Sequence, residues 1–385
     1  MRIDVVAASW EAESAEHRTH IADLSAELGA RGHDVTLHIR RDSPEPPDFE
    51  RTRQGFDLVR VPAGPAAPLS SAALLPHLDE FASVLDRTWA DRVPDVVHLH
   101  SWQSGLAVRE PPAPLVQSFH GLKLADGGRR AELERLVALA ADHVLATSAD
   151  EVAQLGRTGV PRTRVSLVPW GVDPERFRPD GPTAPRGAEA RVVVLGDVEP
   201  RGEVDTAIDA LAAVPHAELL VVGAIRSRVP REDPEFARLV RHARDLGVDH
   251  RVRFTGQVGR AELPALLRSA DVVVRVPREE PSGVRAVQAM ACGVPVVASA
   301  VGALTDIVLD DLTGVLVPPR DPVALGRAVR DLLASPVRRE VYSITGGERA
   351  RSRYSWDRVV EEVVDVYAKA ARTPSKKRGG AAASR

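Results

Sequence analysis

The chemistry-bearing residues of this chain gather in one stretch, Arg275-Val276-Pro277-Arg278-Glu279-Glu280-Pro281-Ser282-Gly283-Val284-Arg285, which runs on through Gln288 to Gly293. Pro281 forces a break, Ser282 is a capping residue type, and a helix is expected from about Gly283. Such a helix opening presents unsatisfied backbone N–H groups, which suit an anionic ligand such as a diphosphate. Arg275, Arg278 and Arg285 surround the opening, and Arg201 is a fourth cation further up the chain. A cation at Arg285, in the first helical turn, is unfavourable on dipole grounds. A bound phosphate would offset that cost, because a guanidinium meets phosphate oxygens in a two-pronged way. The other reactive side chains are imidazoles: His98 and His100 in one apolar strand, His120 at the end of the next. A histidine pair can hold a metal in principle, but no third ligand follows at metal-like spacing, so no metal site is expected.

These residues need a scaffold. Residues 3–8 read as a buried strand, 19–29 as an amphipathic helix with Ile21, Leu24 and Leu28 on one face, and 35–39 as the next strand, a βαβ opening. Strands follow at 56–61, 95–100, 115–120, 143–148 and 165–169, with helices over 74–89 and 129–141. Apart from its one strand, the proline-rich segment 42–72 reads as loop. Residues 180–190, rich in Pro, Gly and Ala, read as a linker. The second half repeats the alternation, with strands at 191–195, 219–222, 251–256, 271–276 and 294–298 and helices over 262–269, 322–334, 348–354 and 355–371. Gly293 is placed to end the helix that Ser282 opens. The expectation is an α/β protein with domains over 1–182 and 188–354, a final helix over 355–371 and a disordered basic tail over 372–385.

Composition narrows the class. The 385 residues are 44% hydrophobic and 27% charged, enough for two proper cores. A net charge of −3 gives no overall basic field for nucleic acid. The single cysteine, Cys292, excludes an intramolecular disulfide framework. No apolar run approaches the roughly 20 residues of a membrane span, and the N-terminus lacks signal-peptide form. A cytoplasmic protein is expected.

From Met1 to about Ala371 the chain resembles the family 4 (group 1) retaining glycosyltransferases. Glu280 matches the first carboxylate of the family's donor-site pair, Gln288 stands at the second, and residues 289–298 follow its A-M-A-C-G-x-P-V-V-A pattern. Residues 31–36 resemble its R-G-H-x-V-T turn, 95–100 its D-V-V-H-x-H strand, Phe119-His120 its T-F-H site, and 169–177 its P-x-G-V-D-x-x-x-F segment. The resemblance implies a GT-B fold: two Rossmann-like domains facing a central cleft, with the last helix crossing back onto the first. It implies transfer of a sugar from a nucleotide-sugar donor to an acceptor the sequence does not name, with retained anomeric configuration and with no metal or other cofactor. On that resemblance the catalytic candidates are His120, near the transferring sugar, and Glu280, on its hydroxyls. The donor-binding candidates are Gly196, Arg201, Gly223, Gly256, Ser282, Gly283, Val284, Arg285 and Gln288.

Four positions depart from the family pattern. Asp197 and Gly202 stand where an Arg and a Lys of G-R-L-x-x-x-K-G grip the diphosphate, Glu16 stands in place of a glycine, and Gln288 replaces a glutamate. Without a metal, the leaving diphosphate must be stabilised by protein cations and helix N-termini, and losing one such contact costs about 3 kcal/mol. Two readings follow: a working glycosyltransferase whose phosphate site is rebuilt from other arginines, or a catalytically impaired relative that senses a nucleotide sugar or binds a protein partner as a regulator.

Overall fold

Valine-rich runs build two sheets. In the computed structural model, residues 1–124, 127–187, 189–196, 202–223 and 233–372 are described. The first sheet contains β1 (Arg2–Ala7), β2 (Asp34–Arg40), β3 (Phe49–Arg51), β4 (Asp57–Val61), β5 (Val96–His100), β6 (Leu115–Ser118), β7 (His143–Ala146) and β8 (Val165–Leu167). Its order is β3-β4-β2-β1-β5-β6-β7-β8. Every pairing is parallel except the edge pair β3–β4. The second sheet contains β9 (Ala190–Leu195), β10 (Ala217–Val222), β11 (Val252–Gly256), β12 (Val272–Arg275), β13 (Val296–Ser299) and β14 (Gly314–Val317), all parallel, in the order β11-β10-β9-β12-β13-β14. Taken along the chain, that is the doubly wound order 3-2-1-4-5-6. Strands covered on both faces need no polar alternation, which is why β9, β12 and β13 carry unbroken valine-rich apolar runs.

The chain divides into two Rossmann-like units, Met1–Pro169 with the segment from Trp356, and Trp170–Ser355. The change of unit falls before the expected linker, because Val172 and Phe177 are already buried in the second unit's core. The final helix, Trp356–Arg372, belongs to the first unit. Its Trp356, Val359, Val360, Val363, Val366 and Tyr367 pack with Ile3, Ile21 and Leu24.

Several elements differ from the sequence expectation, among them a strand and a helix. Strand β3 is a short exposed edge inside the proline-rich segment, too brief for any period to show. The helix expected over 348–354 begins at Pro336 and runs to Tyr354. Gly346-Gly347 lies inside it because the helix passes close to its neighbours: a Cβ on Gly346 would stand 3.3 Å from the Thr313 carbonyl oxygen and 3.5 Å from the Met290 side chain.

In each sheet the strand order reverses beside the first strand, between β1 and β5 and between β9 and β12. The C-terminal ends of the strands at such a switch point form the crevice where open α/β sheets take ligands. His100 ends β5, and Arg275 ends β12.

Candidate functional site

At the first unit's switch point the chain places imidazoles. The β-strand pleat turns both His98 and His100 inward at 1% exposure. His98 Nδ1 lies 2.9 Å from the Tyr367 hydroxyl and its Nε2 2.9 Å from the Ser118 hydroxyl. His100 Nδ1 meets His120 Nε2 at 2.7 Å, and the two rings stack with centroids 4.9 Å apart. His17, in the helix Ala15–Ala30, stacks on His120 at 5.1 Å. Burial pushes His98 down to about 3. His120 falls to about 3 as well, through burial first and then repulsion from His17. Both are therefore neutral at ordinary pH, each ring offering one N–H and one lone pair. The β1 end adds a polar chain: Ser9 donates to Glu13 at 2.8 Å, and Glu13 meets His17 Nδ1 at 2.7 Å. Burial raises the Glu13 carboxyl, but the His17 hydrogen bond and the neighbouring imidazoles bring it below the ordinary range. His120 itself has φ +57°, a left-handed backbone that non-glycine residues hold only under tertiary constraint. Such constraint is common where a side chain must be aimed.

Glu16 stands in the first turn of the helix Ala15–Ala30, whose N-cap Ser14 accepts from the His17 N–H at 3.2 Å. A carboxylate there suits the helix dipole, which gives this departure a local reason.

The second unit brings its predicted residues to one sheet edge. Gly196, Gly223 and Gly256 lie at the C-terminal ends of the adjacent strands β9, β10 and β11. Gly196 N–H donates to Val222 O at 3.0 Å and Gly223 N–H to Gly256 O at 3.2 Å. The helix Val284–Ala291 follows β12, the strand that pairs with β9. Its N-cap is Gly283, at φ +63°, and the Val284 N–H donates to the Ser282 hydroxyl at 3.5 Å. The acceptor at this helix opening is Glu280, whose Oε1 takes the Gly283 N–H at 2.9 Å. Val284 and Ser282 are buried, while Gln288 is half-buried on the same helix.

The arginines do not act as one group. Arg275 was expected among the cations facing phosphate, but only 6% of it is exposed and its guanidinium is taken by the carboxylates of Glu203 and Glu280 and by the Leu195 carbonyl. An arginine at the end of an apolar, two-sided strand cannot stay unpaired in the interior, so it recruits acids. Burial opposes its charge, but Glu203 and then Glu280 outweigh that and raise its pKa further above the ordinary value. Glu203 pays the opposite way: burial pushes it up to about 7 despite Arg275. Arg285 is half-buried, and burial lowers it to about 10. Arg278 is exposed. Arg201 and Asp197 lie outside the described residues. Gly202 is the N-cap of the helix Glu203–Leu211 and supplies no side-chain cation. Glu203 and the Glu13–His17 pair escaped the sequence reading. The signal for Glu203 was Arg275 itself, a charge in a valine strand that requires a partner elsewhere. Among the described residues no cluster of three or more His, Cys, Asp or Glu could hold a metal, and no helix is long and apolar enough to cross a membrane.

Comparison with known proteins places this architecture. Residues 180–349 match the family model of the glycosyl transferases group 1, and residues 17–171 match that of a glycosyl transferase 4-like domain. A D-inositol 3-phosphate glycosyltransferase of Xylanimonas cellulosilytica is 34% identical over 384 residues, covering 91% of this chain and 91% of the relative. One from Geodermatophilus obscurus is 35% identical over 385 residues, covering 91% and 84%. Among solved structures, a sucrose-phosphate synthase from Thermosynechococcus elongatus superposes with a TM-score of 0.85 at 26% identity, covering 96% of this chain and 98% of that one. Anabaena HepE in complex with UDP and glucose has the same fold, with a TM-score of 0.76 at 18% identity over 96% and 99%. With both units matched and such identity along nine-tenths of its length, the chain belongs to the group 1 glycosyltransferases of GT-B fold.

Proposed function

We propose that this glycosyltransferase passes a sugar from a nucleotide-sugar donor, with retained anomeric configuration, to a small phosphorylated polyol of the kind named for its relatives. The observation that carries the proposal is the 34% identity to a D-inositol 3-phosphate glycosyltransferase across both units. In this reading Glu280 contacts donor sugar hydroxyls, the glycine edge Gly196–Gly223–Gly256 admits the nucleotide, and His120 lies against the transferring sugar. The departing diphosphate is stabilised by the opening of the helix Val284–Ala291 and by Arg278 or Arg285, without a metal. The test is nucleotide release from a panel of UDP-, GDP- and ADP-sugars, with and without inositol 3-phosphate and in the presence of EDTA. Product NMR reports the anomeric configuration. The expected result is acceptor-dependent release, insensitive to EDTA, giving an α-linked product from an α-linked donor.

A second reading, of an impaired relative that binds a nucleotide sugar and regulates, is favoured by two observations. The carboxylate of Glu280 is already engaged by Arg275, and no cation stands at Gly202. Binding of a nucleotide sugar with no release from any donor selects this reading over the first.

A further inference from the structure

Glu203 stands one residue after Gly202, at the last position of the G-R-L-x-x-x-K-G segment where the family has a glycine, and touches no residue expected to react except through Arg275. It is the first residue of the helix Glu203–Leu211 and is buried at 7% exposure. One of its oxygens, Oε1, pairs with Arg275 Nη1, and the other, Oε2, accepts the Val276 N–H at 3.1 Å. The same Nη1 donates to the Leu195 carbonyl at the end of β9, and Nη2 reaches Glu280 Oε2. A Cβ on Gly196 would stand 2.1 Å from Glu203 Oε1, so any other residue there would displace the Glu203 side chain. Glu280 is held from its other side as well. Its Oε1 accepts from Gly283 at 2.9 Å, its carbonyl accepts from Ala303 N–H at 2.8 Å, and a Cβ on Gly302 would stand 2.2 Å from that carbonyl oxygen.

A guanidinium is a rigid planar fork. With one prong on Glu203 and the other on Glu280, it offers Glu280 a single prong and fixes that carboxylate's orientation. Relieved of Glu203, the fork can close on both oxygens of Glu280, the geometry that arginine and carboxylate prefer. That closure would pull Oε1 off the Gly283 amide. We propose that Glu203 is a positioning residue of the donor site: acting through Arg275, it holds Glu280 on the Gly283 amide and sets how far Glu280 distinguishes a nucleotide sugar from the bare nucleotide. The inference rests on the reading of Glu280 as the sugar contact.

The test uses Glu203→Gln, which keeps an acceptor for Val276 and removes the charge, and Arg275→Lys, which keeps the charge and loses the fork. Calorimetry with UDP-glucose and with UDP gives the ratio of the two affinities. Loss of one well-placed hydrogen bond predicts a roughly tenfold smaller ratio in both variants, with UDP affinity nearly unchanged. Wild type that binds UDP-glucose no tighter than UDP overturns the donor-site reading, and the inference falls with it. Wild type that discriminates while both variants discriminate equally well overturns the inference alone. A ligand-free measurement covers poor binding or poor folding: amide exchange at Gly283, relative to distant amides of the same unit, should accelerate about tenfold in Glu203→Gln. Unchanged protection there overturns the positioning role.

Discussion

The two units solve one problem in opposite ways. Each brings polar side chains to a sheet's switch point and buries them. The first unit uses side chains that can give up charge: His98 and His120 are neutral and hydrogen-bonded, and His120 stacks on His100. The second is built around a side chain that must keep it: Arg275 is held between Glu203 and Glu280. A neutral stack loses little when one member is changed, whereas a buried ion network fails when its centre is removed. The contrast also sets opposite responses to pH.

The sharpest way to break the comparison is Arg275→Met. It leaves two buried carboxylates uncompensated and should cost about 3–5 kcal/mol in denaturant unfolding. A loss under about 1 kcal/mol would mean that water reaches the network and that the units differ less than their geometry says.

Acidity comes next. Glu203 is raised from 4.5 to about 7, so the folded state holds its proton more tightly than the unfolded chain. Its contribution is complete below pH 4.5 and is lost as pH rises through 7. His98 and His120 are depressed from 6.5 to about 3, so their contribution is complete above pH 6.5 and is lost as pH falls towards 3. Native-state hydrogen exchange across that range should show β9 and β12 weakening with rising pH, by up to roughly 3 kcal/mol, and β5 and β6 with falling pH, by up to roughly 5 kcal/mol for each histidine. In Glu203→Gln the second-unit slope should flatten while the first-unit slope stays. Equal slopes in both units would remove the contrast.

Gly302→Ala tests the support of Glu280 from outside the ion network. Gly302 has φ +48°, and its added Cβ meets backbone rather than a yielding side chain. A loss of about 2 kcal/mol is expected in thermal or urea unfolding. No loss would mean that the Glu280 backbone is free to move.

The smallest effect belongs to the imidazole side. Tyr367→Phe removes the partner of His98 Nδ1 and should cost about 1 kcal/mol. A loss as large as that of Arg275→Met would show that the histidine stack is as tightly coupled as the ion network.

Much of the scaffold was legible because its signals are local. Valine runs, the βαβ opening at residues 3–39 and the breaks at Pro281 and Gly293 are each read within a dozen residues. The helix Pro336–Tyr354 was read short because Gly346-Gly347 signals a break locally, while in the fold those glycines permit close packing. At the site, the helix opening at Gly283 was legible, and Glu280 lies beside it. Ser282 was expected to cap, and its hydroxyl takes the Val284 N–H at 3.5 Å, while the longer side chain of Glu280 takes the Gly283 amide at 2.9 Å. Arg275 was grouped with Arg278 and Arg285 by proximity in sequence, yet burial separates them.

The sequence by itself determined the alternation of strand and helix, the family, and which residues stand at the strand ends. Its hydrophobic periods and turn residues act over short spans, so they need no fold to be read. Only the tertiary structure decided who partners whom. Arg275 meets Glu203 across 72 positions and the Leu195 carbonyl across 80, and His98 meets Tyr367 across 269. Those separations close only when the strand order places β12 beside β9 and the last helix on the first sheet. A charge inside a valine strand announces that a partner must exist, because burial without one is prohibitive. Which acid answers depends on sheet order, and no local pattern records it.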